Sequence, residues 1–298
     1  MEIRVLQYFL AVAREGTLSA AAEALHLTQP TLSRQLRDLE DDLGKKLFIR
    51  GAHSIKLTEE GMLLRKRAEQ IVELVSRTEN DIKCSDETLS GDVYIGAGET
   101  YAVGLAAAAA RKMQSEHPLV HYHIYSGDGE DVIERLDKGL IDFGIVFMPV
   151  DSLKYNSITM PLVDEWGILM RRDSALAEKD RLTRDDISDE PLIFSRRAAD
   201  KLPVRKWFGD SVERLNIVST YNLVYNASIL VREGIGYALT FDKLINVTGD
   251  SELCFRPLDP PVYAKMYFVW NRFQPMTKSA EKFLAYFRDE LGQQDTHE

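Results

Sequence analysis

The chain has 298 residues, 45% of them hydrophobic and 28% charged, with a formal net charge of −10, which is enough apolar content for about two cored domains and excludes a disordered or fibrous chain. No apolar run approaches the length of a membrane span, and the opening M-E-I-R-V-L-Q-Y-F-L-A-V-A-R lacks the basic lead, apolar block and cleavage site of a secretory signal. The two cysteines, Cys84 and Cys254, lie far apart without metal-ligand spacing, as in a reducing compartment, so a soluble cytoplasmic protein is expected.

The average acidity argues against a nucleic-acid partner, but it is unevenly spread. Residues 1–57 carry eight Lys and Arg against seven Asp and Glu, so the negative surplus lies beyond them. Within that first part, Ile3, Leu6, Leu10 and Ala13 recur at helical spacing and give a first helix ending near Gly16. Thr17 can cap a short second helix carrying Ala21, Ala24 and Leu25. Thr28 can cap a third, with Pro30 in its first turn, where a missing N–H does no harm. At about 100° per residue, Leu32, Leu36, Leu39 and Leu43 form one stripe of that helix, and Pro30, Arg34 and Arg37 lie opposite, flanked by Thr31 and Ser33. The segment K-K-L-F-I-R-G-A-H-S-I-K-L-T then reads as a hairpin turning at residues 51–54. Three helices and a hairpin make a winged helix-turn-helix pattern.

From Thr58, the positions Gly61, Leu64, Ala68, Ile71, Val75, Thr78 and Ile82 alternate steps of three and four along one long helix. Such a seam either pairs with a second copy or packs on its own domain, and Leu64, Ala68, Ile71 and Val75 are the expected dimer contacts. C-S-D-E-T-L-S-G reads as a linker. Beyond it, D-V-Y-I-G-A-G, V-H-Y-H-I-Y-S and F-G-I-V-F alternate with helices; a second series opens after Pro161 with W-G-I-L-M and runs through P-L-I-F-S, N-I-V-S-T and G-Y-A-L-T-F. M-Y-F-V-W and a terminal helix follow. Alternation of this kind predicts largely parallel sheets covered by helices.

Three stretches carry a family likeness: F-L-A-V-A-R-E-G-T-L-S-A-A-A-E-A-L-H-L-T-Q-P-T-L-S-R-Q-L-R-D-L-E-D-D-L-G-K-K-L-F-I-R, then L-T-E-E-G, then R-L-D-K-G-L-I-D-F-G-I. With them the chain resembles a LysR-type transcriptional regulator over essentially its whole length. The resemblance implies an α/β chain with an N-terminal all-α winged helix-turn-helix (residues 1–57), a dimerising linker helix (58–86), a hinge (87–91) and an effector-binding domain (92–298). That domain would comprise two Rossmann-like subdomains, as in periplasmic solute-binding proteins, one of residues 92–161 plus 266–298 and the other of 162–265. It also implies duplex DNA and a small-molecule effector as partners, a homodimer or tetramer as the assembly, and no cofactor.

At the DNA end the residues point the same way, because a helix in the major groove reads bases with side chains near its N-terminus. Gln29 suits adenine and Pro30 a thymine methyl; Arg34 and Arg37 suit guanine or phosphate, and Thr31 and Ser33 suit phosphate oxygens. Asp38, Asp41 and Asp42 follow, so the N-terminal half is expected to insert. In the hairpin, Arg50, His53 and Lys56 are placed to meet the backbone or minor groove.

Ligands of open parallel sheets bind beyond the carboxyl ends of the strands, which directs attention to Thr100, Tyr101, Ser126, Phe147, Ser195, Arg196, Asn222 and Phe241. By resemblance Thr100 is the position whose hydroxyl meets the effector, and here it is expected to open a helix whose free N–H groups favour an anion. Arg196 would be a second anchor, and Tyr125, Phe147, Tyr221 and Phe241 an apolar wall. A small carboxylate follows, or a zwitterion if Glu99 points inward. Relatives that sense oxidants use a cysteine pair in the second subdomain, and S-R-R-A-A-D-K-L-P-V-R-K-W-F holds no cysteine. G-A-G-E-T-Y lacks the third glycine of a dinucleotide fingerprint, no phosphate loop or nucleophile elbow occurs, and His117, His121 and His123 read as surface residues before metal ligands. A regulator without catalytic activity is expected; the alternative is an enzyme, or a binder, whose α/β domain acts independently of DNA.

Overall fold

The computed structural model describes residues 1–51, 54–83, 89–195, 202–209 and 214–294. It divides into two compact units, Met1–Cys84 and Ser85–Glu298.

The first unit comprises α1 (Ile3–Glu15), α2 (Leu18–Ala24), α3 (Gln29–Leu43), the hairpin β1 (Phe48–Arg50) and β2 (Ile55–Leu57), and α4 (Glu59–Lys83). Thr17 Oγ1 accepts from the Ala20 N–H at 3.2 Å and Thr28 Oγ1 from the Thr31 N–H at 3.4 Å, so both expected caps form, with Pro30 in the first turn of α3. Leu6, Phe9 and Val12 of α1 meet Leu32, Leu36 and Leu39 of α3 in a closed core. Leu43 does not join the stripe; it is 42% exposed, because the helix outruns the core. Glu40 turns inward at 3% exposure, and its carboxylate accepts from the N–H groups of Leu47 (2.8 Å) and Phe48 (3.3 Å) and pairs with Lys46 Nζ (3.0 Å). A buried acid thereby ties α3 to the first strand of the wing.

The expected seam on α4 is largely used within its own domain. Ala68 is fully buried in the core shared with α1, and Leu64 and Ile71 pack against it. Gly61, which reads as a weak seam position, faces the Leu47 carbonyl so closely that any Cβ would overlap it. The exposed apolar side chains of this helix are Met62, Leu63, Leu74 and Ile82.

The second unit has two lobes. In the first, β3 (Gly91–Ala97), β4 (Val120–Ser126) and β5 (Phe143–Val146) lie parallel, with α5 (Val103–Glu116) and α6 (Gly129–Asp137) between them. β6 (Tyr155–Arg171) then crosses to the second lobe. There α7 (Arg184–Ile187), β7 (Leu192–Ser195), α8 (Leu202–Phe208), β8 (Ile217–Tyr221), α9 (Val224–Arg232), β9 (Tyr237–Phe241) and β10 (Leu253–Pro257) follow, before β11 (Tyr263–Asn271) and α10 (Lys278–Gln294) return to the first. β7, β8 and β9 are parallel, but β11 runs antiparallel to β5 and β6, and β6 antiparallel to β9 and β10. The sheets are therefore mixed, not largely parallel, since two strands that carry the chain back and forth must run against their neighbours.

No new strand begins after Pro161, because β6 runs straight through it. It sits where the register slips: Val163 pairs with Lys265 and Thr159 with Tyr267. A bulge tolerates a residue without an N–H. The cores part at the same point, Met160 and Met266 belonging to the first lobe and Trp166 and Ala264 to the second.

Candidate functional site

The outer face of α3 is presented as the sequence predicts. Gln29, Pro30, Thr31, Arg34 and Arg37 are exposed and Ser33 is half-buried. Two of these groups have neighbours on the protein: Gln29 Oε1 accepts from the Ser19 hydroxyl at 3.4 Å, and Thr31 Oγ1 lies 2.8 Å from Thr28 Oγ1. Asp38, Asp41 and Asp42 are exposed further along. In the hairpin, Lys56 is exposed on β2 and Arg50 ends β1 opposite Ile55, while His53 lies outside the described residues.

In the second unit a cleft of about 590 Å³, counting its open mouth, lies between the lobes beyond the carboxyl ends of β3, β5, β7, β8 and β9. Of the expected effector residues, Phe147, Ser195, Asn222 and Phe241 line it. Thr100, Tyr101 and Ser126 are not among its walls, and Arg196 lies outside the described residues. Thr100 does not open a helix: α5 begins at Val103, and the Thr100 hydroxyl is buried, accepting from the Ala102 N–H at 3.0 Å and reaching Met266 Sδ at 2.9 Å. Tyr101 is 58% exposed, and the Tyr125 ring lies beneath the Arg135 guanidinium at 3.9 Å and not in the wall.

The apolar wall is made by Phe147, Phe241 and Trp166. Ring centroids are 5.0 Å apart for Phe147 and Phe241 and 4.1 Å for Trp166 and Phe241. Trp166 was not singled out by its sequence, since W-G-I-L-M looks like any core strand. Phe147 packs against the cores of both lobes, and its ring rests on Gly98, where a Cβ would come within 2.7 Å of Cε2. Tyr221 also lines the cleft, but its hydroxyl donates to the Leu239 carbonyl at 2.8 Å, and burial pushes its pKa up. Glu99 points inward and crosses the cleft, Oε2 accepting from the Val224 N–H at the start of α9 at 2.5 Å. Burial raises its pKa, and the Val224 N–H offsets part of the rise.

Behind Thr100 lies Asp164, 2% exposed, with Oδ2 lacking a hydrogen-bond partner among the described residues. Burial pushes its pKa up to about 6; the Thr100 hydroxyl and Lys243 lower it, and the neighbouring Asp242 charge raises it. The alternation of residues within β6 gives no sign that this acid is interior. Elsewhere, His121 and His123 are exposed on edge strand β4, 3.8 and 3.1 Å from Asp92 Oδ1. Among the described residues no group of three or more His, Cys, Asp or Glu could hold a metal ion, and no helix is long and apolar enough to cross a membrane.

Comparison with known proteins agrees with this geometry. Residues 3–62 match the bacterial regulatory helix-turn-helix protein, lysR family, and residues 86–292 the LysR substrate binding domain. The chain is similar to the HTH-type transcriptional regulator IlvY of Escherichia coli, 33% identical over 215 residues and 70% of each chain. It is also similar to the DNA-binding transcriptional dual regulator OxyR of the same organism, 29% identical over 65% of this chain and 63% of that one. Its fold matches that of CbnR, a LysR family transcriptional regulator, with a TM-score of 0.76 at 19% identity over 98% of this chain and 99% of that one. CbnR has also been solved with its target DNA, where the TM-score is 0.74 at 20% identity over 97% and 100% of the chains. With its helix-turn-helix and its substrate-binding domain both matched, the chain belongs to the LysR family of DNA-binding transcriptional regulators.

Proposed function

We propose that this regulator reads duplex DNA with the N-terminal half of α3, that it does so as a dimer, and that a small carboxylate in the cleft of its second unit changes its hold on DNA. The observation that carries the DNA reading is the α3 outer face: Gln29, Pro30, Thr31, Arg34 and Arg37 are exposed while Leu32, Leu36 and Leu39 are buried behind them. Guanidinium forks and short polar groups on the exposed side of a rigid helix suit base edges and phosphates. The acids at the far end of α3 favour its lifting away from the backbone there. Arg50, His53 and Lys56 would add backbone contacts from the wing.

α4 would pair two copies, giving half-sites related by two-fold symmetry. Half-buried Leu64, Ile71 and Val75 then contribute edges, and exposed Met62, Leu63 and Leu74 the new contacts. The boundaries at residues 57, 86 and 91 mark reader, linker helix and hinge, and the two lobes, residues 92–161 with 266–298 and residues 162–265, close on the effector.

For the effector, the Ser195 hydroxyl and Asn222 amide, at the ends of β7 and β8, are among the neutral donors that line the cleft. They suit a carboxylate; Thr100, Tyr101 and Ser126 would act only indirectly. The named relatives are regulators, in keeping with a domain that binds and does not catalyse. Peroxide sensing is a weaker alternative, because Cys254 is buried with its thiol pKa raised by burial, and the 195–208 stretch has no cysteine.

Anisotropy titrations of wild type and Arg34→Ala against specific and scrambled duplexes at several salt concentrations test the DNA reading. A phosphate contact predicts uniform weakening and a shallower salt slope; a guanine contact predicts a loss of roughly 1 to 3 kcal/mol at one base pair. Unchanged binding everywhere removes Arg34 from the interface.

A further inference from the structure

We infer that the effector of this regulator carries a cationic ammonium group, held between the Glu99 carboxylate and the aromatic wall of the cleft; this rests on the cleft being the effector site. Glu99 stands at the mouth of β3 next to Gly98, the residue on which the Phe147 ring lies, so the acid and the aromatic wall are immediate neighbours. Among the described residues only one carboxylate oxygen is engaged. Oε2 takes the Val224 N–H at 2.5 Å, and Oε1 makes no hydrogen bond and no ion pair with any described residue. A half-buried carboxylate facing a cavity, with an unused oxygen and no cation paired to it among the described residues, calls for a positive partner.

The rest of the wall suits the same guest. Phe147, Trp166 and Phe241 form a continuous aromatic surface, and ring faces attract ammonium ions, more strongly where water is excluded. Tyr221 adds a fourth ring to the lining and directs its hydroxyl away to the Leu239 carbonyl, so that hydroxyl is not offered to the guest as a donor. A guest bearing only a carboxylate would approach Glu99 with like charge.

The bond from Val224 to Glu99 also links the lobes, since Glu99 belongs to the first and α9 to the second. A cation on Oε1 leaves that link in place and strengthens the charged state of the acid on which it depends. Burial raises the pKa of Glu99, so binding of a cation draws off the remaining proton. Affinity for the guest therefore increases with pH up to the point where Glu99 is fully ionised.

Tetramethylammonium chloride is the minimal probe, with sodium acetate and sodium chloride at matched ionic strength as controls, read on the full chain by tryptophan fluorescence and thermal shift. Saturable binding of tetramethylammonium, weakened at least tenfold by Glu99→Gln, is expected. Phe241→Leu, which keeps an apolar wall without a ring, should weaken it several-fold. Two results would overturn the inference: saturation by acetate but not by tetramethylammonium, or tetramethylammonium binding that Glu99→Gln leaves unchanged. Absence of any saturable response to tetramethylammonium beyond that of sodium chloride at matched ionic strength would do the same. DNA binding by the same preparation, measured without probe, reports separately on the regulator function.

Discussion

Replacing Asp164 by asparagine should stabilise the second unit, and only above a certain pH. The acid is 2% exposed and its pKa is displaced from an ordinary 3.8 to about 6. A shift of that size corresponds to roughly 3 kcal/mol against the charged form. For a group whose folded pKa is raised in this direction, the penalty is absent below the unfolded pKa, builds up as pH rises through the window from 3.8 to about 6, and is complete above it. Asparagine removes the charge but brings an amide N–H₂ without a partner among the described residues, which returns about 1 to 2 kcal/mol. A net gain of about 1 to 2 kcal/mol at pH 8 is expected, or a Tm rise of roughly 2–8 °C for a unit of this size. Scanning calorimetry of wild type and Asp164→Asn between pH 5 and 8, in about half-unit steps, reads the difference directly, because every other titrating group is common to both. The Tm gap should shrink towards zero by about pH 5. A gap constant across the range, or a variant less stable at pH 8, would refute the assignment of Asp164 as a destabilising buried charge.

Glu40→Ala leaves the Leu47 and Phe48 amides without their acceptor and should cost the first unit roughly 2–5 kcal/mol, with Glu40→Gln losing less than half of that; urea unfolding checks both. Burial alone would raise the Glu40 pKa, but the bonds from Leu47, Lys46 and Phe48 outweigh it and hold the pKa below 4.5, so this support is complete above pH 4.5 and fades as pH falls through the lower value. On α4, Leu74→Asp should weaken the dimer in sedimentation while leaving the fold intact, whereas Ala68→Asp should unfold the first unit, given exposures of 40% and 0%. Gly98→Ala drives a Cβ to 2.7 Å from Phe147 Cε2 and should weaken effector binding at least tenfold in calorimetry without altering DNA affinity, while Thr100→Val, outside the cleft, should change effector binding less.

What the sequence makes legible is what period and end signals encode. Three helices, the threonine caps of the second and third, and the strand ends that converge on Phe147, Ser195, Asn222 and Phe241 all follow from spacing and from where strands stop. What it leaves obscure depends on contacts distant in the chain. Glu40 reads as one more acid of a charged helix end until the wing folds over it 7 residues later, and Ala68 looks like part of an intermolecular seam until α1 is seen to cover it. The Thr100 hydroxyl is expected at the cleft but is buried, because Met266, from a strand 166 residues away, takes its proton. Trp166 has no periodic signature, since β6 is one strand serving two lobes and its apolar runs look like ordinary core.

The most direct test of the regulator assignment is selection of duplexes from a random pool by the full chain, followed by anisotropy of the enriched sequence with wild type and Arg34→Ala. A site with two related half-sites in two-fold symmetry should be enriched and bound at least roughly a thousandfold more tightly than the unselected pool at about physiological salt, with a clear loss of that preference in the variant. A pool that gains no motif, or a motif bound equally well by Arg34→Ala and by a variant with every polar residue of the α3 outer face replaced, would contradict it.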